Sequence, residues 1–92
     1  MISSFASEKT GEFFSGERIK TFSGFKKAAE RKLVMLDNAE ELVDLLIQPA
    51  NKLEKLENDR KVQHSIRIND QWRIGFVWRN DGPHDVEITD YH

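Results

Sequence analysis

Eight consecutive residues restrict what this chain can fold into. Trp72, Ile74, Phe76 and Trp78 alternate with Arg73, Gly75, Val77 and Arg79, the period of a strand that buries one face. A helix through the same residues would scatter the aromatic and cationic side chains around its circumference, so a strand, and a sheet to hold it, is required. Asn69 and Asp70 ahead of it, and Asn80-Asp81-Gly82-Pro83 behind it, are turn signals. Upstream, His64, Ile66 and Ile68 alternate with Ser65 and Arg67; downstream, Val86 and Ile88 alternate with Glu87, Thr89 and Tyr91. Three strands in a meander are predicted.

Before Pro49 the apolar period is that of helices. Ser7 is placed to cap a short helix that runs to about Ser15 and stops at Gly16. Ser23 is the predicted cap of a longer helix carrying Phe25, Ala29, Leu33 and Leu36 on one face. Asn38 with Glu41 reads as a capping box before Leu42, Leu45 and Leu46, and Pro49 ends that segment. These two segments form a helical pair or one kinked helix, and a short strand is possible at Ile2–Phe5. Helices followed by antiparallel strands make an α+β domain. The helices should cover the sheet face bearing Ile66, Ile68, Trp72, Ile74, Phe76, Val86 and Ile88, with Phe13, Phe14, Phe22 and Phe25 most simply in the core, although an exposed pair of them could receive a protein partner.

Ninety-two residues suffice for one core, so residues 1–92 read as a single domain. Without Cys there is no disulfide framework or thiol nucleophile, and a reducing compartment is allowed. No apolar run approaches the roughly 18–20 residues that cross a bilayer, and Met1-Ile2-Ser3-Ser4-Phe5 lacks the features of a signal peptide. A cytoplasmic protein is expected. The net charge of −2 and a pI near 5.9 argue against a general nucleic-acid binder, for which a pI above about 9 is usual. The charges are segregated, however. Residues 18–32 hold Arg18, Lys20, Lys26, Lys27, Arg31 and Lys32 against Glu30, and residues 60–79 hold Arg60, Lys61, Arg67, Arg73 and Arg79 against Asp70.

Strand period places Arg67, Arg73, Arg79, Glu87, Thr89 and Tyr91 on the face turned away from the helices. One reading is a solvated face with cross-strand ion pairs such as Arg73 with Glu87. The other is an anion-binding surface, since the forked donors of Arg match phosphate geometry. Spacing alone leaves both open. Because Arg73 points away from the core face of its strand, its removal is expected to leave the fold intact.

The stretch Gln63-His64-Ser65-Ile66-Arg67-Ile68-Asn69-Asp70-Gln71-Trp72-Arg73-Ile74, closing with Val86-Glu87-Ile88-Thr89-Asp90-Tyr91-His92, resembles the HigB-type toxins, the plasmid maintenance system killer proteins, a branch of the RelE-like ribonuclease toxins. Arg31-Lys32-Leu33 with Leu36-Asp37, and Asn58-Asp59-Arg60, add to the likeness, which covers essentially the whole chain. The resemblance implies a RelE-like antiparallel sheet backed by N-terminal helices, and a type II toxin that cleaves mRNA in the ribosomal A site. It further implies a HigA-type helix-turn-helix antitoxin, with operator DNA reached only through the toxin–antitoxin complex. The active surface would be the polar sheet face and the C-terminal residues at its edge.

Metal-free RNA cleavage needs a base for the 2′-OH, a donor for the leaving 5′-oxygen, and positive charge on the phosphorane. Arg73 suits the last role. His92 can be acid or base near neutral pH. Tyr91 can stack on a base or pass a proton, and Asp90 can orient His92 or act as the base. Arg60 and Arg67 are candidate phosphate clamps. HigB toxins often carry His at the position of Glu54 and Lys at that of Glu57; here both are acidic, which adds repulsion toward RNA, although a desolvated Glu54 could serve as a base. That departure supports a second hypothesis, a RelE-like module that binds ribosome or antitoxin without efficient cleavage. A DNA-binding protein is a third, disfavoured by the charge and by the absence of a recognisable helix-turn-helix pair. His64 is expected to be packed and hydrogen-bonded, and His84 solvated. The three dispersed His give no metal-ligand spacing, and no cofactor is expected.

Overall fold

The computed structural model describes residues 1–58 and 61–90, with the backbone alone at 57, 58 and 61. Helix α1 spans Glu8–Phe14. A 3-10 turn, Lys20–Phe25, runs directly into α2, Lys26–Asn38. Helix α3 covers Leu42–Leu46, and a second 3-10 turn covers Pro49–Asn51. Four strands follow: β1 Glu54–Asn58, β2 Lys61–Arg67, β3 Trp72–Arg79 and β4 Gly82–Asp90. They form one antiparallel sheet in the order β1-β2-β3-β4. The α+β class holds, and the meander has one strand more than the period-2 reading predicts.

The extra strand, β1, has no alternating pattern of its own. It exists because β2 offers it a ladder, pairing Glu54 with Ser65 and Lys55 with His64. On β3 the predicted bounds match the observed ones. Ile66, Ile74, Phe76 and Val86 are fully buried and, with Ile68 and Ile88, pack against Phe13, Phe22, Ala29, Leu33, Leu36 and Leu45 of the helical layer. Phe13 and Phe22 meet edge to face, and Phe22 and Phe25 both reach Trp72. Burial of this aromatic set supplies much of the apolar area that drives the two layers together.

Two helix starts differ from expectation. Ser23 lies inside the first 3-10 turn, where its hydroxyl donates to the Lys20 carbonyl at 2.8 Å. Helix α2 is therefore entered from that turn and has no side-chain cap. Asn38 is the last residue of α2, so the capping box moves to Glu41 and Asp44, whose carboxylate accepts from the Glu41 N–H at 3.0 Å. Ser7 does cap α1, accepting from the Thr10 N–H at 3.1 Å.

The outer edge of β4 is covered. Phe5 bridges Val86 in parallel, the Val86 N–H donates to the Ser4 carbonyl, and the Ile88 N–H donates to Thr10 Oγ1 at 3.1 Å. The segment predicted as a first strand is thus a single bridge rather than a full strand. Gly82 turns β3 into β4 with φ at +116°, and a Cβ there would stand 2.9 Å from the Met1 carbonyl oxygen. These contacts fix β4 against the N-terminal segment and set where Asp90 emerges.

Candidate active site

The register of β2, β3 and β4 assembles the open face. Arg67 stands opposite Arg73, and Arg73 opposite Thr89; in the next row Glu54, Ser65, Gly75 and Glu87 lie across from one another. Directly paired residues share a face, so both arginines and Glu54 project to the same side. A cleft of about 460 Å³ opens there, lined by Lys52, Glu54, Arg67, Asn69, Asp70, Gln71 and Arg73.

Arg73 is not the freely solvated side chain that alternation alone suggests. Its side chain is only 12% exposed. Nε donates to Ser65 Oγ at 2.8 Å, and Nη2 donates to the Ser65 carbonyl at 3.1 Å and the Lys52 carbonyl at 2.5 Å. Nη1 faces Glu54 at 3.8 Å. The ion pair expected with Glu87 is therefore made with Glu54, because the guanidinium lies back over β2 rather than toward β4. Arg73 also ties the loop ahead of β1 to the sheet, so its removal is expected to cost stability. Of its five N–H donors, the two on Nη1 are the edge left toward Glu54 and the cleft.

Arg67 donates to the Asp70 carboxylate in the β2–β3 turn. Gln71, next in that turn, donates to Asp90 Oδ2 at 2.8 Å. Asp90 stands opposite Trp72, so by register it belongs to the helix-side face, and Gln71 links it to the rim of the cleft. The structure thus brings together Arg67, Arg73 and Glu54, whereas Asp90 does not line the cleft and is joined to it through Gln71. Arg60, Tyr91 and His92 lie outside the described residues. Sequence reasoning missed Lys52, Ser65 and Gln71. Ser65 was legible, two residues from Arg67 on the same face. Lys52 was not, because its place in the cleft depends on a left-handed backbone (φ 42°) that ends the second 3-10 turn.

The histidines differ from expectation in detail. His64 stacks on Phe76, but its buried Nδ1 has no hydrogen-bond partner among the described residues. Burial, with Lys55 nearby, holds its pKa below the ordinary histidine value. His84 is bonded to Asp81 at 2.6 Å rather than solvated, and this hydrogen bond lowers the Asp81 pKa. Among the described residues, no three His, Asp or Glu side chains gather as a metal site, and no helix is long and apolar enough to cross a membrane.

A profile of the RelE-like toxin of the type II toxin–antitoxin system HigB matches residues 3–92. The chain belongs to this HigB-like toxin family. Within it, 56 residues are 45% identical to Toxin HigB-1 of Vibrio cholerae serotype O1 (strain ATCC 39315 / El Tor Inaba N16961), covering 61% of this chain and 59% of that protein. A stretch of 59 residues is 39% identical to an uncharacterized protein of Haemophilus influenzae (strain ATCC 51907 / DSM 11121 / KW20 / Rd), covering 64% and 58%. The chain thus spans rather less than two thirds of these curated relatives. The helix-backed antiparallel sheet is consistent with the RelE-like fold of the HigB-like family.

Proposed function

We propose that this HigB-like chain is a ribosome-dependent endoribonuclease that arrests translation by cutting mRNA. The observation that carries this reading is the juxtaposition of Arg67 and Arg73 as a cross-strand pair lining one cleft. Two arginines paired across the ladder concentrate positive charge at this cleft, and an anion bound there would offset their mutual repulsion. In the cleavage step the 2′-oxygen attacks phosphorus, the bond to the 5′-oxygen breaks, and a 2′,3′-cyclic phosphate and a 5′-hydroxyl result. One proton leaves the 2′-OH and one reaches the 5′-oxygen. Arg73 Nη1 and Arg67, with Arg60 as a further clamp, stabilise the phosphorane; Asp90, Tyr91 and His92 supply proton transfer and stacking, with Glu54 as a further candidate base. No metal has a role in these steps. The antitoxin is a HigA-type helix-turn-helix protein, operator DNA is met only in its complex, and the work is done in the cytoplasm.

The internal bonds of Arg73 favour a second reading. Three of its contacts are to protein oxygens and the fourth faces a carboxylate, an arrangement suited to a module that occupies the ribosome without efficient cleavage. Mapping mRNA 5′ ends after induction, beside purified ribosomes programmed with a defined message, separates the two. Discrete new 5′-hydroxyl ends within codons support the endoribonuclease; arrest with intact message supports the binding module.

A further inference from the structure

Among the described residues, one lysine is buried in the helical layer, and the cleft chemistry does not account for it. Lys32 on α2 is 8% exposed, and among the described residues no carboxylate pairs with it. Its Nζ donates to Asn51 Oδ1 at 2.6 Å. Burial, then the charges of Arg31 and Arg67, pull its pKa down. A buried ammonium satisfied by a neutral amide, beside other cations, is a costly arrangement. An apolar side chain of similar length would fill the same space without that cost, so packing alone does not explain it.

What Lys32 holds is the second 3-10 turn. Asn51 is fully buried and spends its amide N–H groups on the Leu45 carbonyl at 3.0 Å and Met35 Sδ at 3.2 Å, leaving its oxygen for Lys32. The next residue, Lys52, takes the left-handed conformation that non-glycine residues seldom adopt, with its N–H bonded to the Pro49 carbonyl at 3.1 Å. That conformation aims the Lys52 carbonyl at Arg73 Nη2, 2.5 Å away. A strained residue stays in place only when its surroundings over-determine it, and Lys32 with Asn51 provides the hold from the helical side.

We propose that Lys32 is a positioning residue for Arg73, acting through Asn51 and the Lys52 carbonyl. With Nε and Nη2 held, the guanidinium keeps one orientation and presents Nη1 to the cleft. Releasing Asn51 lets the Lys52 turn relax, the carbonyl withdraws, and the guanidinium loses one of its three fixed contacts. The helical layer thereby sets the geometry of a group on the opposite face of the sheet. The consequence for cleavage rests on the reading that Arg73 receives the phosphate; the positional claim does not.

The test follows the Arg73 Nε–H by ¹H–¹⁵N NMR, its signal identified by its loss in Arg73→Lys. Lys32→Met removes the donor and keeps the stem, and Phe13→Leu in the α1 layer serves as a destabilised control. Accelerated exchange with water and a shifted Arg73 signal in Lys32→Met, with the signal unchanged in Phe13→Leu, are expected. An unchanged Arg73 signal in Lys32→Met overturns the proposal. If Lys32→Met does not fold, Lys32→Met with Asn51→Leu leaves neither partner orphaned and is read by the same criterion. On programmed ribosomes Lys32→Met should lose about ten- to a hundred-fold in cleavage rate, the scale of an ångström-sized misplacement. A parent chain that cuts no message defeats the endoribonuclease reading, whereas the positional role of Lys32 stands or falls on the Arg73 signal.

Discussion

The Glu54 carboxylate on β1 reaches across Ser65 of the intervening strand to lie 3.8 Å from Nη1 of Arg73 on β3. The group that would meet a phosphate is thus faced by an acid of its own chain. Glu54 is more than half exposed, and pairs of that kind contribute little to stability. Its effect falls on whatever anion competes for the same edge of the guanidinium.

Glu54→Gln should therefore leave stability within about 0.5 kcal/mol of the parent, as for exposed ion pairs. Anion affinity should rise about two-fold, the equivalent of a pair worth about 0.5 kcal/mol. Thermal unfolding titrated with sulfate measures both. Unchanged sulfate affinity would mean that Glu54 does not compete at the cleft.

Arg73→Ala should cost both activity and stability. The buried Ser65 and the Lys52 carbonyl lose charged donors, worth about 2–3 kcal/mol in urea unfolding. Cleavage should fall by on the order of 10²–10³. Arg73→Lys should recover little of either, because an ammonium cannot span Ser65 and Lys52 together. Full toxicity from a folded Arg73→Ala variant would remove Arg73 from the chemistry.

Deleting Tyr91 and His92 should abolish growth arrest and leave the melting temperature within about 4 °C, the equivalent of about 0.5 kcal/mol, since Ile88 is the last buried residue described. Expression without antitoxin, beside antitoxin co-purification, makes the measurement. Undiminished arrest would move the proton-transfer roles to Glu54 and Asp90. Loss of antitoxin binding would identify the tail as an interface.

His64 makes stability depend on pH. Its folded pKa is lowered from 6.5, so between that lowered value and 6.5 the unfolded chain binds more protons, and stability rises with pH across this window. As pH falls through it, the contribution of neutral His64 is lost. His64→Phe keeps the stacking surface on Phe76 and removes an Nδ1 that has no partner among the described residues. It should stabilise the protein by about 1 kcal/mol and flatten the acid side of the profile, as measured by urea unfolding at pH 5 to 7 (a span of about two units around the ordinary His value). A profile as steep as the parent's would assign the dependence to other groups.

The sequence by itself determined the core face of the sheet, the bounds of β3, the Ser7 cap of α1, and the change from helices to strands after Pro49. Each follows from local geometry, because side-chain alternation and helical spacing are properties of the backbone over a few residues. The alignment of Arg67 with Arg73 on one face was legible for the same reason. Tertiary structure alone decided the rest. Strand β1 forms because β2 presents an unpaired edge, not because residues 54–58 alternate. The guanidinium of Arg73 is claimed by Ser65, Lys52 and Glu54, eight, twenty-one and nineteen residues away along the chain. The Lys52 turn rests on a lysine in a helix, itself nineteen residues from Asn51. Hydrogen bonds of that span depend on where separate elements come to rest, and no periodicity in the chain encodes them.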